Sequence, residues 1–251
     1  MPSVYAHYRF GTAMLETMPA DIRRTVRRFR RLYDVGLHEP DPLLYSRPLF
    51  EGRLAQAAEK VHSQTGREFF TRNCRVLRLE PSEAYSAYLY GVLCHYCLDT
   101  CCREILAQVP EHKNALEKAF DRLLLQKDGK DGALDYSRHL KLTAGEHTTA
   151  AKCYPGITAN QFRAALQCMA YATRLTAAPE NPVKRLTQKV TAVFRTAHTN
   201  TDEQAYLSVL PLLEAAYARA EALFPQMLEQ LTAHLTYNAA LKEPFSQPFS
   251  Q

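Results

Sequence analysis

The residues of this chain best suited to chemistry crowd into Gly91–Arg103, GVLCHYCLDTCCR. The stretch reads as the middle of a buried helix, with the apolar, Tyr-rich run Ala84–Tyr90 before it and Ile105–Leu106 after it. At about 100° per residue, His95 and Asp99 stand one turn apart on one face, with Cys102 between them. Cys94, Cys97 and Cys101 fall on another side. An imidazole and a carboxylate inside an apolar helix are costly to bury unless something satisfies them. A divalent cation does so economically, because His nitrogen and Asp oxygen suit zinc. A hydrogen-bonded core pair is the plainer alternative, and the choice turns on whether other ligands lie elsewhere.

Three further segments set a His or an Asp where a loop meets a helix. Tyr5–Gly11, YAHYRFG, carries His7. Gly36–Pro42, GLHEPDP, is a Pro-stiffened turn that can aim Asp41 inward. In Val61–Phe70, VHSQTGREFF, His62 ends one helix and Gly66 opens the turn into the next. Each has an ordinary explanation: His7 as a surface residue, Asp41 as a turn cap, His62 as a partner of the helix dipole. Together with His95 and Asp99 they supply the mixture of His and Asp that a hydrolytic zinc centre uses. His38 is close to Asp41 in sequence, but its spacing carries no signal. His139, His147, His198 and His234 have no partner pattern and read as surface or loop residues.

The elements that must bring these segments together read as helices throughout, at about 8–18, 20–33, 51–64, 66–79, 81–107, 111–127, 158–177, 181–197, 202–217 and 219–236. Runs of Val, Ile and Thr with period-2 alternation are absent, which argues against a sheet. Breaks fall at Glu39–Pro42, at Glu80–Pro81 and at Gln126–Gly132, and Ala133–Gly156 is the least regular region, a lid or a loop. The expectation is a single all-α domain over 1–240 with a frayed tail over 241–251. With 251 residues, 46% hydrophobic and 23% charged, the composition is that of an ordinary globular protein able to bury a large core. No apolar run is long enough for a membrane span and the start lacks an apolar secretory core, so the chain is expected to be cytoplasmic. The seven cysteines read as reduced core residues; a Cys-x-x-Cys site lacks its second pair. Much of the net charge of +5 sits on an amphipathic helix with an arginine face, Arg23–Arg31. That face is solvated, or attracts an anionic membrane surface or nucleic acid.

In their order and wording these motifs resemble the zinc-dependent phospholipase C family, specifically its compact bacterial intracellular members. The resemblance rests on P-S-x-Y-A-H-Y-x-F-G at Pro2–Gly11, G-x-x-x-P-D at Gly36–Asp41, H-x-x-x-G-x-x-F-F over His62–Phe70 and H-x-x-x-D at His95–Asp99. It covers roughly the first 130 residues, and the second half matches only as generic helices. It implies an all-α bundle with the metal site between helices. Asp41, His62, His95 and Asp99 would hold one zinc, and His7 would help hold a neighbouring zinc that Asp99 bridges. Asp41 would also be the catalytic base that orients water. The implied reaction is attack of metal-activated water on a phosphodiester, with release of a phospholipid headgroup.

The pattern departs from the family after Asp99. Relatives continue D-x-x-C-H-P, whereas Arg103 stands here at the His position. Cys102 is then a soft substitute ligand or one more core thiol, and Arg103 a binder of substrate phosphate or the mark of a lost site. His112 and Glu117, the remaining candidates, are five apart and converge only if His112 precedes the helix. Secreted members also use a processed N-terminus as a ligand, which is not expected here. One or two zincs are therefore expected, and not a third. A non-catalytic binding protein on the same scaffold is the first alternative. A zinc nuclease is the second, ranked last because Trp is absent and no base-stacking platform can be placed.

Overall fold

The computed structural model describes residues 4–45, 53–130, 139–177 and 208–249. The expected helix at 181–197, His198, the first residues of the expected helices at 51–64 and 202–217, residues 133–138 of the irregular region, and Pro2 lie outside them. Among the described residues the protein is all-α: helices and no named strand, with a lone β-bridge between Thr65 and Pro248.

The organising element is α7 (Glu83–Leu106). Its start is fixed by Ser82, whose side chain accepts the Tyr85 amide, one of the donors that a helix N-terminus leaves unpaired. Its apolar residues run around the whole cylinder, and residues 87–99 are buried without interruption, as expected for a helix that neighbours cover on all sides. It packs most extensively against α3 (Arg30–Gly36) and α11 (Leu210–Tyr237), and also against α1 (Val4–Thr17) and α2 (Ala20–Arg28). Helices α2 and α3 carry the expected 20–33 segment, which the structure divides at Phe29 (φ −113°, ψ 40°). That break redirects α3 onto α7, where the two backbones meet at Gly36 and Gly91. A Cβ on Gly36 would come within 2.4 Å of the Tyr88 carbonyl oxygen, and one on Gly91 within 2.3 Å of the Tyr33 carbonyl oxygen. Only glycine fits at either position.

A short helix, α4 (Asp41–Tyr45), follows the turn after α3, with a cis Glu39–Pro40 bond between them. Next come α5 (Arg53–Ser63) and α6 (Gly66–Leu79), the latter opened by a Thr65–Glu68 capping box. A 3₁₀ turn over Pro110–His112 leads into α8 (Lys113–Lys127). The irregular region contains α9 (Ala144–Ala151), nucleated by a second capping box, Thr143–Glu146, that its Ala- and Thr-rich composition concealed. After α10 (Ala159–Ala177) the chain returns in α11, which continues through the position where two helices were expected to meet and contains Pro225.

The tail is docked rather than frayed. Phe245 and Phe249 are 0% and 1% exposed, and they pack against Phe69, Phe70 and Tyr96. All seven cysteines are free, and Cys94 and Cys153 lie 3.2 Å from the buried hydroxyls of Tyr33 and Tyr85. No described helix is long and apolar enough to cross a membrane.

The glycine contact yields a direct expectation. Gly91→Ala should destabilise the chain by about 1–3 kcal/mol through overpacking, lowering Tm by roughly 2–4 °C per kcal/mol at this size. An unchanged Tm on thermal unfolding would show that α3 and α7 do not pack this closely.

Candidate metal centre

Gly91, His95 and Asp99 follow one another at four-residue intervals on α7, so the stripe that touches α3 continues into the two chemical groups. His95 is fully buried, and its Nδ1 lies 3.1 Å from the Leu37 carbonyl oxygen. A carbonyl can only accept, so Nδ1 carries the proton and Nε2 is the atom turned towards the carboxylate. Nε2 lies 3.2 Å from Asp99 Oδ2. The carbonyl comes from the turn after Gly36, and the Gly36–Gly91 contact therefore places it.

His7 comes from the second turn of α1, a helix that begins at Val4 and not, as expected, just beyond this residue. The amides of Tyr5 and Ala6 donate to the Asp121 carboxylate of α8, at 3.0 and 2.8 Å. They are among the donors that a helix N-terminus leaves free, and an acidic group there also suits the helix dipole. So anchored, His7 stacks on His95 with ring centroids 4.2 Å apart and 12° between planes. Its Nε2 is 3.2 Å from Asp99 Oδ1. One ligand atom from each of His7, His95 and Asp99 can be chosen so that all lie within 4.8 Å of one another.

Asp41 and His62 form an adjoining pair, with His62 Nε2 3.8 Å from Asp41 Oδ1. Asp41 opens α4 directly after the buried turn at 37–40. There Glu39 is 0% exposed and accepts a hydrogen bond from the Tyr154 hydroxyl, which pins the turn from the α9 side. His62 sits in the last turn of α5. The charges of His95 and Asp99 act on both Asp41 and His62. The structure thus gathers all five residues in one region, three of them as a tight cluster and two as its neighbours.

The polar atoms fit a cation. His7 Nε2, Asp41 Oδ1, His62 Nε2, His95 Nε2 and both Asp99 oxygens are buried, and none makes a hydrogen bond. Buried polar atoms are normally paired, and a cluster of lone pairs aimed at one another is repulsive unless a positive charge lies among them. Three nitrogens and two carboxylates are a donor set suited to zinc. In the protein alone, that charge is a proton on His95. Burial would push its pKa down, but the Asp99 and Asp41 carboxylates outweigh burial and raise it to about 9. Burial pushes Asp99 up, and the His95 charge more than reverses this, holding the carboxyl well below its usual range. Burial, reinforced by the His95 charge, lowers His7 and His62 to about 4. Burial raises Asp41 to about 7.

Other expected site residues are placed differently. Cys102 is fully buried, its thiol pushed up by burial and by the Asp99 charge, and it does not join the cluster of His7, His95 and Asp99. Arg103 donates to the Pro248 carbonyl and, at 3.5 Å, to Gln247 Oε1, so its guanidinium is engaged by the tail. His112 does precede α8, as convergence with Glu117 requires. Burial raises the Glu117 carboxyl, and the charge of Asp99 adds to it. His38 is buried with Nε2 unpaired. His147 and His234, expected at the surface, are buried too, and His234 Nδ1 lies 2.6 Å from the Ala239 carbonyl oxygen. His139 lies 3.8 Å from Asp34. On the arginine face, Arg27, Arg28, Arg30 and Arg31 pair with Glu16, Glu83, Asp34 and Glu146. Much of its charge is met within the chain.

Asp121, Tyr154 and the Leu37 carbonyl are the supports that motif reading missed. Asp121 stands one turn after Glu117 on α8, an acidic pair on a helix face, and that is the one local signal. The other two act across the fold and leave none.

Ligands must shed their protons to bind a metal. Zinc binding near pH 7 should therefore release on the order of one proton or more, from His95 and in part from Asp41. Affinity should fall as pH drops, because protons compete first at these two groups and then at His7 and His62. Calorimetric titration in buffers of different ionisation enthalpy measures the release; a binding heat independent of buffer would contradict this site.

No family model, curated protein or solved structure matches the chain, so the centre is defined by its own geometry.

Proposed function

We propose that the protein is a zinc-dependent phosphodiesterase of the phospholipase C type, acting on a phospholipid or a related phosphodiester. The observation that carries this reading is the buried cluster of His7, His95 and Asp99, drawn from two separate stretches of chain, with ligand atoms within 4.8 Å of one another. The buried pair Asp41 and His62, 3.8 Å apart, adds a second carboxylate and a third imidazole that feel its charges. His95, Asp99, Asp41 and His62 would hold one zinc, and His7 with Asp99 would contribute to a neighbouring position. When bound, zinc supplies Lewis-acid stabilisation of the phosphoryl charge and acidifies water.

The chain's own groups supply orientation and proton transfer. Asp41 is both the least acidic carboxylate of the set, raised to about 7, and the one at the head of a short helix beside His62. A base is most effective when its pKa is near the working pH. Asp41 would therefore orient the attacking water and take its proton on the carboxylate oxygen not given to the metal, as the water oxygen adds to phosphorus. The P–O bond opposite the attacking oxygen breaks, and the departing diacylglycerol alkoxide takes up a proton, so that the phosphorylated headgroup and the alcohol separate. Leu37 and Asp99 keep His95 in a single tautomer throughout, and Asp121 holds the turn that carries His7.

A second reading draws on Arg103. Its guanidinium is tied to the tail rather than offered to substrate, as suits a metal-binding scaffold without turnover.

Elemental analysis of the purified chain should find one to two zincs. Activity should appear on phosphatidylcholine or on bis(p-nitrophenyl) phosphate, and the double variant His95→Ala/Asp99→Ala should lose both metal and hydrolysis. Zinc uptake without hydrolysis of either substrate supports the scaffold reading. Hydrolysis that survives in the double variant removes the site from consideration.

A further inference from the structure

The tail binds residues that closely follow candidate ligands on two elements, the α5–α6 junction after His62 and α7 around His95 and Asp99. Its carbonyls cap α6: the Gly66 amide donates to Gln247 at 2.9 Å and the Arg67 amide to Phe245 at 2.6 Å. These are the first donors of that helix, which have no partner within it. In return the Phe249 amide donates to the Gln64 carbonyl at 3.0 Å, and Arg67 Nε donates to Leu241 at 2.9 Å. Residues 64–67, two to five positions beyond His62, are thus stitched to the tail.

The same segment is bound to α7. The Tyr96 hydroxyl lies within donating distance of two tail carbonyls, Pro244 at 2.9 Å and Gln247 at 2.8 Å. Arg103 donates to Pro248. Tyr96 directly follows His95, and Arg103 lies one turn beyond Asp99. Phe249 fills the angle between the two elements, with ring centroids 4.6 Å from Phe69 and 4.7 Å from Tyr96. Gly66 is pressed so close to the Tyr96 ring that a Cβ there would meet its Cζ at 2.4 Å.

We propose that residues 241–249 form a strap that sets the position of His62 against His95 and Asp99, so that the metal affinity of the centre depends on the tail. The inference rests on the metal reading above. Metal ligands must be held to about half an ångström, and outer supports of this kind are typically worth about tenfold to a hundredfold in metal affinity. His62 stands in the last turn of α5, and the tail bonds the residues just after it to Tyr96 and Arg103 of α7.

The test uses two substitutions in the full chain, Phe249→Ala and Arg103→Met, with zinc affinity measured by chelator competition and fold by circular dichroism and Tm. Both variants should keep their helical signal and bind zinc about tenfold to a hundredfold more weakly. Arg103→Met is the sharper variant, because it removes a cation from beside a cation site and by electrostatics alone would tighten binding. It also removes little apolar surface, and it decides the matter if Phe249→Ala fails to fold. Arg103→Lys, retaining a donor for Pro248, should recover part of the affinity. Val26→Ala, a core change in α2, a helix that takes part in none of the tail contacts described above, should lower Tm and leave affinity unchanged. Wild-type affinity in Arg103→Met overturns the strap and leaves the metal site standing. A wild-type chain that takes up no zinc overturns the metal reading and the strap with it.

Discussion

A carboxylate buried in the core and faced by two imidazoles is the constraint that organises this protein. Asp99 is 3% exposed in the middle of the longest-buried helix, with an imidazole 3.2 Å from each oxygen. Removing one partner of a buried ion pair costs about 3–5 kcal/mol, against a total stability of roughly 5–15 kcal/mol for a domain. The fold can carry Asp99 only while positive charge is held beside it, whether by a proton on His95 or by a metal ion. The helices around α7 are arranged so that ring nitrogens stand beside both oxygens.

Each supporting group is held by backbone rather than by side-chain packing alone. The Leu37 carbonyl fixes the His95 ring, two α1 amides fix the segment of His7 onto Asp121, and two α6 amides tie the region after His62 to the tail. Main-chain groups have fewer ways to relax than side chains. Ligands drawn from distant parts of the sequence can therefore keep a common geometry.

The helical class was legible because helix-period patterns dominate and strand alternation is missing. The central pair was legible because His95 and Asp99 share one helix and four-residue spacing is a local property. His7, Asp41 and His62 were legible as motifs, but as neighbours only through the family resemblance, since their proximity depends on crossings that no local pattern encodes. The break at Phe29 was hidden because Ile22, Val26, Phe29 and Leu32 keep helical spacing across it. The tail was misread because Pro, Ser and Gln are the composition of a frayed end, while its fate is decided by Phe245 and Phe249 finding Phe69, Phe70 and Tyr96 far earlier in the chain. Cys102 and Arg103 sit in the right helix, yet one faces the core and the other the tail; sequence spacing alone does not distinguish these directions from the site.

The four-residue rhythm of α7 reaches beyond the pair first noticed. Gly91 receives α3, His95 and Asp99 carry the donor atoms, and Arg103 grips the chain's far end. The unit that a protein engineer would need to transplant into another helical scaffold is accordingly G-x-x-x-H-x-x-x-D-x-x-x-R, not the histidine and aspartate by themselves. A host helix lacking the glycine would keep a neighbouring backbone too distant to orient the imidazole, and the grafted ring would be left free to rotate.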